Sequence, residues 1–195
     1  MDKIVLQKGD TLIVVDVQND FLPGGSLAVP QGDEVVPILN RYIAAFAARG
    51  LPVYATRDWH PPDHCSFKAQ EGPWPPHCVA ETNGARFARD LELPAGATIV
   101  SKATEPGRDA YSGFEGTRLD QSLREKNIKR VFVGGLATDY CVLNTVRDAC
   151  KLGYDVFLLS DAIRAVNVNH DDGRKAEAEM VRLGAQPIAL ASLGT

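Results

Sequence analysis

Three residues in this sequence have the types and positions needed for acyl chemistry. Cys141 lies in GGLATDYC, between an apolar run and a helical pattern. If Thr138 caps that helix, Cys141 takes its third position. The free amides and dipole of a helix start favour a thiolate and can hold an oxyanion beside it. Taken alone, such a cysteine is more often an inert thiol on an apolar helix face. Asp16 closes the apolar run TLIVVDV and can accept a thiol proton, although a turn or cap carboxylate would look the same. Lys102, in VSKAT, follows another buried run. A lysine set between a carboxylate and a thiolate would hold both anions and tune their protonation.

A second group suggests a divalent metal. DWH puts Asp58 and His60 two residues apart, a spacing that one extended strand end can converge on an ion, and WPPHC supplies His77 after a rigid proline turn. Mixed carboxylate and imidazole ligands suit Zn, Fe or Mn rather than Ca or Mg. Three protein ligands leave room for water and substrate. The competing reading is scattered surface histidines. His64, in DHCSF, is either a further ligand or a neighbour that supports the others. Asp139 is expected to cap its helix, Asp20 to serve a turn and His170 to be solvated, and none of these is assigned chemistry. Cys150 fits an inert helix-face thiol, and Cys65 and Cys78 stay open.

These residues need a scaffold, and the hydrophobic pattern alternates strand and helix. Thr11–Val17, Pro52–Thr56, Ala97–Ser101, Arg130–Leu136, Asp155–Ser160 and Gln186–Leu190 read as strands. Helices are expected over Asp33–Arg49, Thr117–Lys126, Thr138–Leu152 and Asp171–Leu183, with Asp120 completing a capping box behind Thr117. Repeated βα units predict an α/β fold: three α/β/α layers around a mostly parallel sheet of about six strands, Rossmann-like in topology. Ligands in such sheets bind at the carboxyl ends of strands. Asp16, Asp58, Lys102 and Cys141 all fall at strand ends. Between Trp59 and Arg86 periodicity disappears, and a loop that long in a compact domain is usually functional.

Composition narrows the class. The 195 residues carry 45% hydrophobic and 24% charged residues and a formal net charge of −4. That balance is globular, with no long-range attraction to nucleic acid or anionic membranes. No apolar run is long enough to span a bilayer, and the N-terminus has no secretory pattern. The four cysteines form no CxxC pair, so reduced thiols in a cytoplasm are expected. No linker or repeat is visible, and residues 1–195 read as one domain with a metal-binding loop at about 58–86. A homo-oligomer is left open.

The motifs VVDVQNDFLPGGSL, DWHPPDHCSF, GPWPPHC, DAYSGFEGT and GGLATDYCV, in this order, resemble the nicotinamidase/pyrazinamidase branch of the isochorismatase-like cysteine hydrolases. The resemblance implies Asp16 as general base, Lys102 as its charged partner and Cys141 as nucleophile. It implies Asp58, His60 and His77 as ligands to one divalent ion, with zinc the first expectation and Fe or Mn the alternatives. His64 corresponds to a ligand in some relatives only. It further implies an oxyanion hole at the amides of Ala137 and Cys141, and a cis peptide at Leu136–Ala137. Phe21, Trp74 and Tyr111 match aromatic positions that sandwich a pyridine ring. The implied substrate is nicotinamide, with pyrazinamide as a second, in NAD salvage. Rival readings are an N-carbamoyl amidase or isochorismatase of the same fold, and a hydrolase that attacks with metal-bound hydroxide.

Overall fold

The computed structural model describes residues 3–194. Six strands form one all-parallel sheet: β1 (Asp10–Val15), β2 (Val53–Asp58), β3 (Thr98–Lys102), β4 (Arg130–Leu136), β5 (Asp155–Arg164) and β6 (Gln186–Ile188). Their spatial order is β3-β2-β1-β4-β5-β6, the doubly wound order that reverses between the first and fourth strands. β1 is buried along its whole length, which is why its sequence runs apolar instead of alternating.

Helix α1 (Val35–Ala47) covers one face, and α2 (Leu119–Glu125), α3 (Leu143–Lys151) and α4 (Asp172–Arg182) cover the other. α1 buries Val35, Val36, Leu39, Tyr42, Ile43 and Phe46, a stripe at helical spacing. Phe46 meets Phe132 of β4 edge-on at 5.2 Å, and Phe132 stacks on Phe157 of β5 at 4.5 Å. The helices stop alike. Gly50, Asn127, Gly153 and Gly184 take positive φ, and the next amide bonds back to Phe46, Leu123, Ala149 and Met180 respectively.

Several boundaries differ from expectation. α2 starts at Leu119 because the Thr117 hydroxyl accepts from the Leu119 amide, while Asp120 turns instead to Arg124 and Tyr154. The expected capping box is therefore absent. β5 continues past Ser160 to Arg164, with an irregular register against β4 between Val133 and Gly135. The expected helix from Thr138 opens as a π turn over Thr138–Val142 before α3 begins.

Phe132 ties α1 to the middle of the sheet and is fully buried. Phe132→Ala should cost about 3–5 kcal/mol of unfolding free energy, read from urea denaturation. A loss below about 1 kcal/mol would show that the aromatic stack does not hold these layers together.

Candidate active site

The carboxyl ends of β1 to β4 converge on one buried cluster. Lys102, the last residue of β3, is 1% exposed. Its Nζ lies 3.0 Å from Asp16 Oδ2, pairs closely with Asp58 Oδ1, donates to the Ala110 carbonyl at 3.2 Å and sits 3.5 Å from Cys141 Sγ. Register explains the meeting. Asp58 and Lys102 are direct partners across β2 and β3, and Val15 is level with Thr56. Asp16 therefore emerges beside Thr56, whose hydroxyl donates to Asp16 Oδ1 at 2.6 Å. Asp16 itself takes a left-handed φ of 48° and turns the chain away from β1. On β4, Gly135 has φ 127°, and a Cβ there would strike the Val15 carbonyl. Only glycine lets β4 pass so close to β1 just before the site. The Leu136–Ala137 peptide is cis, as the resemblance implied.

Burial sets the protonation of this cluster. It pushes the Asp16 carboxyl up, against the opposing pull of the Lys102 ammonium. It pushes the Cys141 thiol well up too, again opposed by Lys102 and reinforced by Asp16 and Asp58. Burial would also raise Asp58, but Lys102 and His60 overrule it and hold that carboxyl below its ordinary range. For Lys102, desolvation is outweighed by Asp16 and Asp58, so the ammonium keeps its proton. One cation thus faces two carboxylates and a protonated thiol. This corrects the expectation of a thiolate favoured by a helix start. Cys141 lies in the π turn, with Tyr140 and Val142 donating to the Ala137 carbonyl, and desolvation dominates there.

Beside the cluster, one donor atom each from Asp58, His60 and His77 lies within 4.8 Å of the others. His60 Nδ1 is 3.2 Å from the Ala103 carbonyl and His77 Nδ1 is 2.8 Å from the Pro75 carbonyl. Both rings therefore carry their proton on Nδ1 and turn Nε2 inward, the arrangement of a metal-ligating histidine with its backing acceptor. His60 Nε2 is buried without a hydrogen-bond partner, and burial pushes His77 toward the neutral form that binds metals. This donor set fits a divalent ion. A short parallel bridge between His60 and Val79 joins the two ligand segments. Gln18, fully buried, fixes Asp58: its Nε2 donates to the Asp58 carbonyl and its Oε1 accepts from the Asp58 amide, both at 2.8 Å. Asp20 accepts from the amide of Cys78, next to His77, at 2.7 Å, and from Ser26. His64 stacks on the His60 ring at 4.1 Å, but both its nitrogens are engaged, Nδ1 with Ser66 Oγ and Nε2 with the Arg108 carbonyl. The structure does not bring it into the ligand group.

Phe21, Trp74 and Tyr111 line a narrow cleft over Cys141, together with Ala137, Asp58 and His77. Trp74 Nε1 donates to Tyr111 Oη at 3.0 Å. Sequence reasoning missed three further walls: Leu27, Tyr140 and Val166. Tyr140 packs edge-on to Trp74 at 5.1 Å and tilts against Tyr111 at 5.7 Å. Its place next to Cys141 was the available signal for it, whereas Val166 lies beyond β5 with no local cue. Larger open grooves of about 550 and 490 Å³ lie along the β3 edge and beneath the sheet near Lys8. Neither is bordered by Cys141, Asp58 or His77, which line a smaller cleft of about 40 Å³. Asp139 does not cap its helix but bonds to the segment after β5. His170 is fully exposed, and all four cysteines are free.

Comparisons agree with this geometry. The isochorismatase domain family matches residues 10–192. The nicotinamidase of Escherichia coli is 41% identical over 201 residues, covering 92% of this chain and 94% of its own. The crystal structure of the Pyrococcus horikoshii pyrazinamidase in complex with zinc superposes with a TM-score of 0.90 at 48% identity, covering 93% of this chain and 99% of the other. PnC1 from L. infantum, in complex with nicotinate, gives 0.90 at 35% identity and covers 100% and 99%. The chain belongs to the isochorismatase family, in its nicotinamidase and pyrazinamidase branch.

Proposed function

We propose that this chain is a nicotinamidase that hydrolyses nicotinamide to nicotinate and ammonia through a thioester on Cys141. The observation that carries the reading is one buried cation, Lys102, joining the base and nucleophile to a three-donor metal group beneath an aromatic cleft. The reading takes the whole chain as one hydrolase domain, supported by the single sheet and the extent of the family match.

Asp16, its carboxyl raised by burial, is a stronger base than an exposed aspartate and removes the Cys141 proton. Lys102 stays charged and offsets the anion that develops on sulfur. Sγ attacks the amide carbon, and the amides of Ala137 and Cys141 receive the oxyanion. The proton held by Asp16 passes to the leaving nitrogen, ammonia departs, and a thioester remains. A water then gives a proton to Asp16 and attacks the thioester, and the thiolate leaves and is reprotonated as nicotinate is released. Phe21, Trp74 and Tyr111 hold the flat ring. Asp58, His60 and His77 would hold one divalent ion, zinc by preference, which supplies a Lewis acid for the pyridine nitrogen and orients the ring. Pyrazinamide presents the same amide and ring nitrogen, so it is a second substrate. Nicotinate would feed NAD salvage. No helix among the described residues is long and apolar enough to cross a membrane, and a small planar substrate suits so narrow a cleft.

Cys141→Ala should lower ammonia release from nicotinamide by more than about 1,000-fold. Near-normal turnover in that variant would instead favour attack by metal-bound hydroxide. Elemental analysis of purified protein should find about one divalent ion per chain, and His60→Ala should lose it while circular dichroism keeps the native signature. Active protein without stoichiometric metal would overturn the metal assignment.

A further inference from the structure

The cleft wall formed by Val166 packs against the core but belongs to a segment with few hydrogen bonds to other elements. Ala165–His170 follows β5 and precedes α4, and it includes the exposed residues Asn167 and Val168. Val166 turns back to line the cleft over Cys141. Its amide donates to Asp139 Oδ1 at 3.0 Å, and the Asn167 amide donates to Asp139 Oδ2 at 2.8 Å. The other hydrogen bonds of this segment are local and run to Asp171, Asp172 and Gly173. Asp139 stands in the π turn two residues before Cys141. One carboxylate therefore fastens the cleft wall to the element that carries the nucleophile. It does so with both oxygens on successive backbone N–H groups, a charge-assisted pair that fixes direction as well as distance.

We infer that Asp139 is a positioning residue that sets the height of the Val166 wall above Cys141 and so limits which ring-substituted pyridine carboxamides the cleft admits. The inference rests on the reading of this cleft as the nicotinamide site. Asp139 does not touch the reacting atoms and acts through Val166. Its carboxylate suits the task because an amide side chain offers only one acceptor oxygen and would release one of the two N–H groups.

The test compares wild type, Asp139→Ala and Asp139→Asn. In Asp139→Ala, KM for nicotinamide should rise about tenfold as the wall loses both bonds, with kcat within about threefold. A bulkier probe is nicotinamide methylated at the ring carbon meta to both the nitrogen and the carboxamide. Its specificity constant relative to that for nicotinamide should rise in Asp139→Ala, a readout that general loss of stability would not move. Asp139→Asn should lie between. Independently of activity, hydrogen exchange at the amides of Val166 and Asn167 should be slow in the wild type and fast in Asp139→Ala. Unchanged exchange at those two amides overturns the tether. Lost protection with unchanged KM and unchanged substrate ratio overturns the specificity role. A wild type that releases no ammonia from nicotinamide defeats the substrate reading, while the exchange measurement still decides the tether.

Discussion

The ammonium of Lys102 is the charge on which the site depends. It is buried among groups that would be costly to bury without it: two carboxylates and a thiol. A lysine so deeply desolvated would ordinarily lose its proton, and a pair of neighbouring carboxylates would ordinarily share one. Here the ammonium and the two carboxylates stabilise each other's ionised forms, which offsets the cost of burial. Removing one member leaves an uncompensated charge, so positions that look chemically separable are electrostatically one unit. Burial still leaves the thiol protonated and Asp16 basic. This is a resting state from which a proton can move within the cluster without reaching solvent.

The parallel sheet makes room for that unit. Its strand order reverses between β1 and β4, and connections leaving in opposite directions open a crevice there. Asp16 and Cys141 enter the crevice from its two sides, and Asp58 and Lys102 arrive from the adjoining strands. Three consecutive side chains after β1 then bond to the end of β2 and to the segment that follows it. Gln18 grips the backbone of Asp58, Asn19 donates to the Asn83 carbonyl at 2.8 Å, and Asp20 accepts from Cys78. The long loop after β2 has little regular structure of its own. It is held by these polar contacts from a rigid strand end, which is how an irregular segment can present histidines with fixed geometry.

Much of this was legible in the sequence because strands buried on both faces must be apolar and their polar ends stand out. The β4 run from Arg130 to Leu136 matches its strand, and Asp16, Asp58, Lys102 and Cys141 fall at or just past strand ends, as the apolar runs imply. Phe21, Trp74 and Tyr111, far apart in sequence, line one cleft. What escaped depends on contacts distant in sequence. Asp139 and Asp120 have the composition of helix caps, but each found partners on another element. The π turn at Cys141 follows from the path taken after Leu136, which no local propensity encodes. His64 sits in the densest cluster of candidate ligands, yet Ser66 and Arg108 occupy its two nitrogens. Residue type alone could not distinguish it from His60, whose inner nitrogen is left free.

Lys102 also lies at the margin of the sheet. β3 is an outer strand and pairs only with β2 among the described residues. Outer strands of this kind open first in local fluctuations, since one side of their backbone has no neighbour to leave. Here the last residue of that strand is fastened inward by carboxylates at the ends of β1 and β2. The charge at the centre of the cluster therefore also works as a clasp on the margin of the sheet. Fraying of that margin would expose the ammonium and dissolve the cluster in the same motion, so closing the sheet edge and assembling the cluster go together.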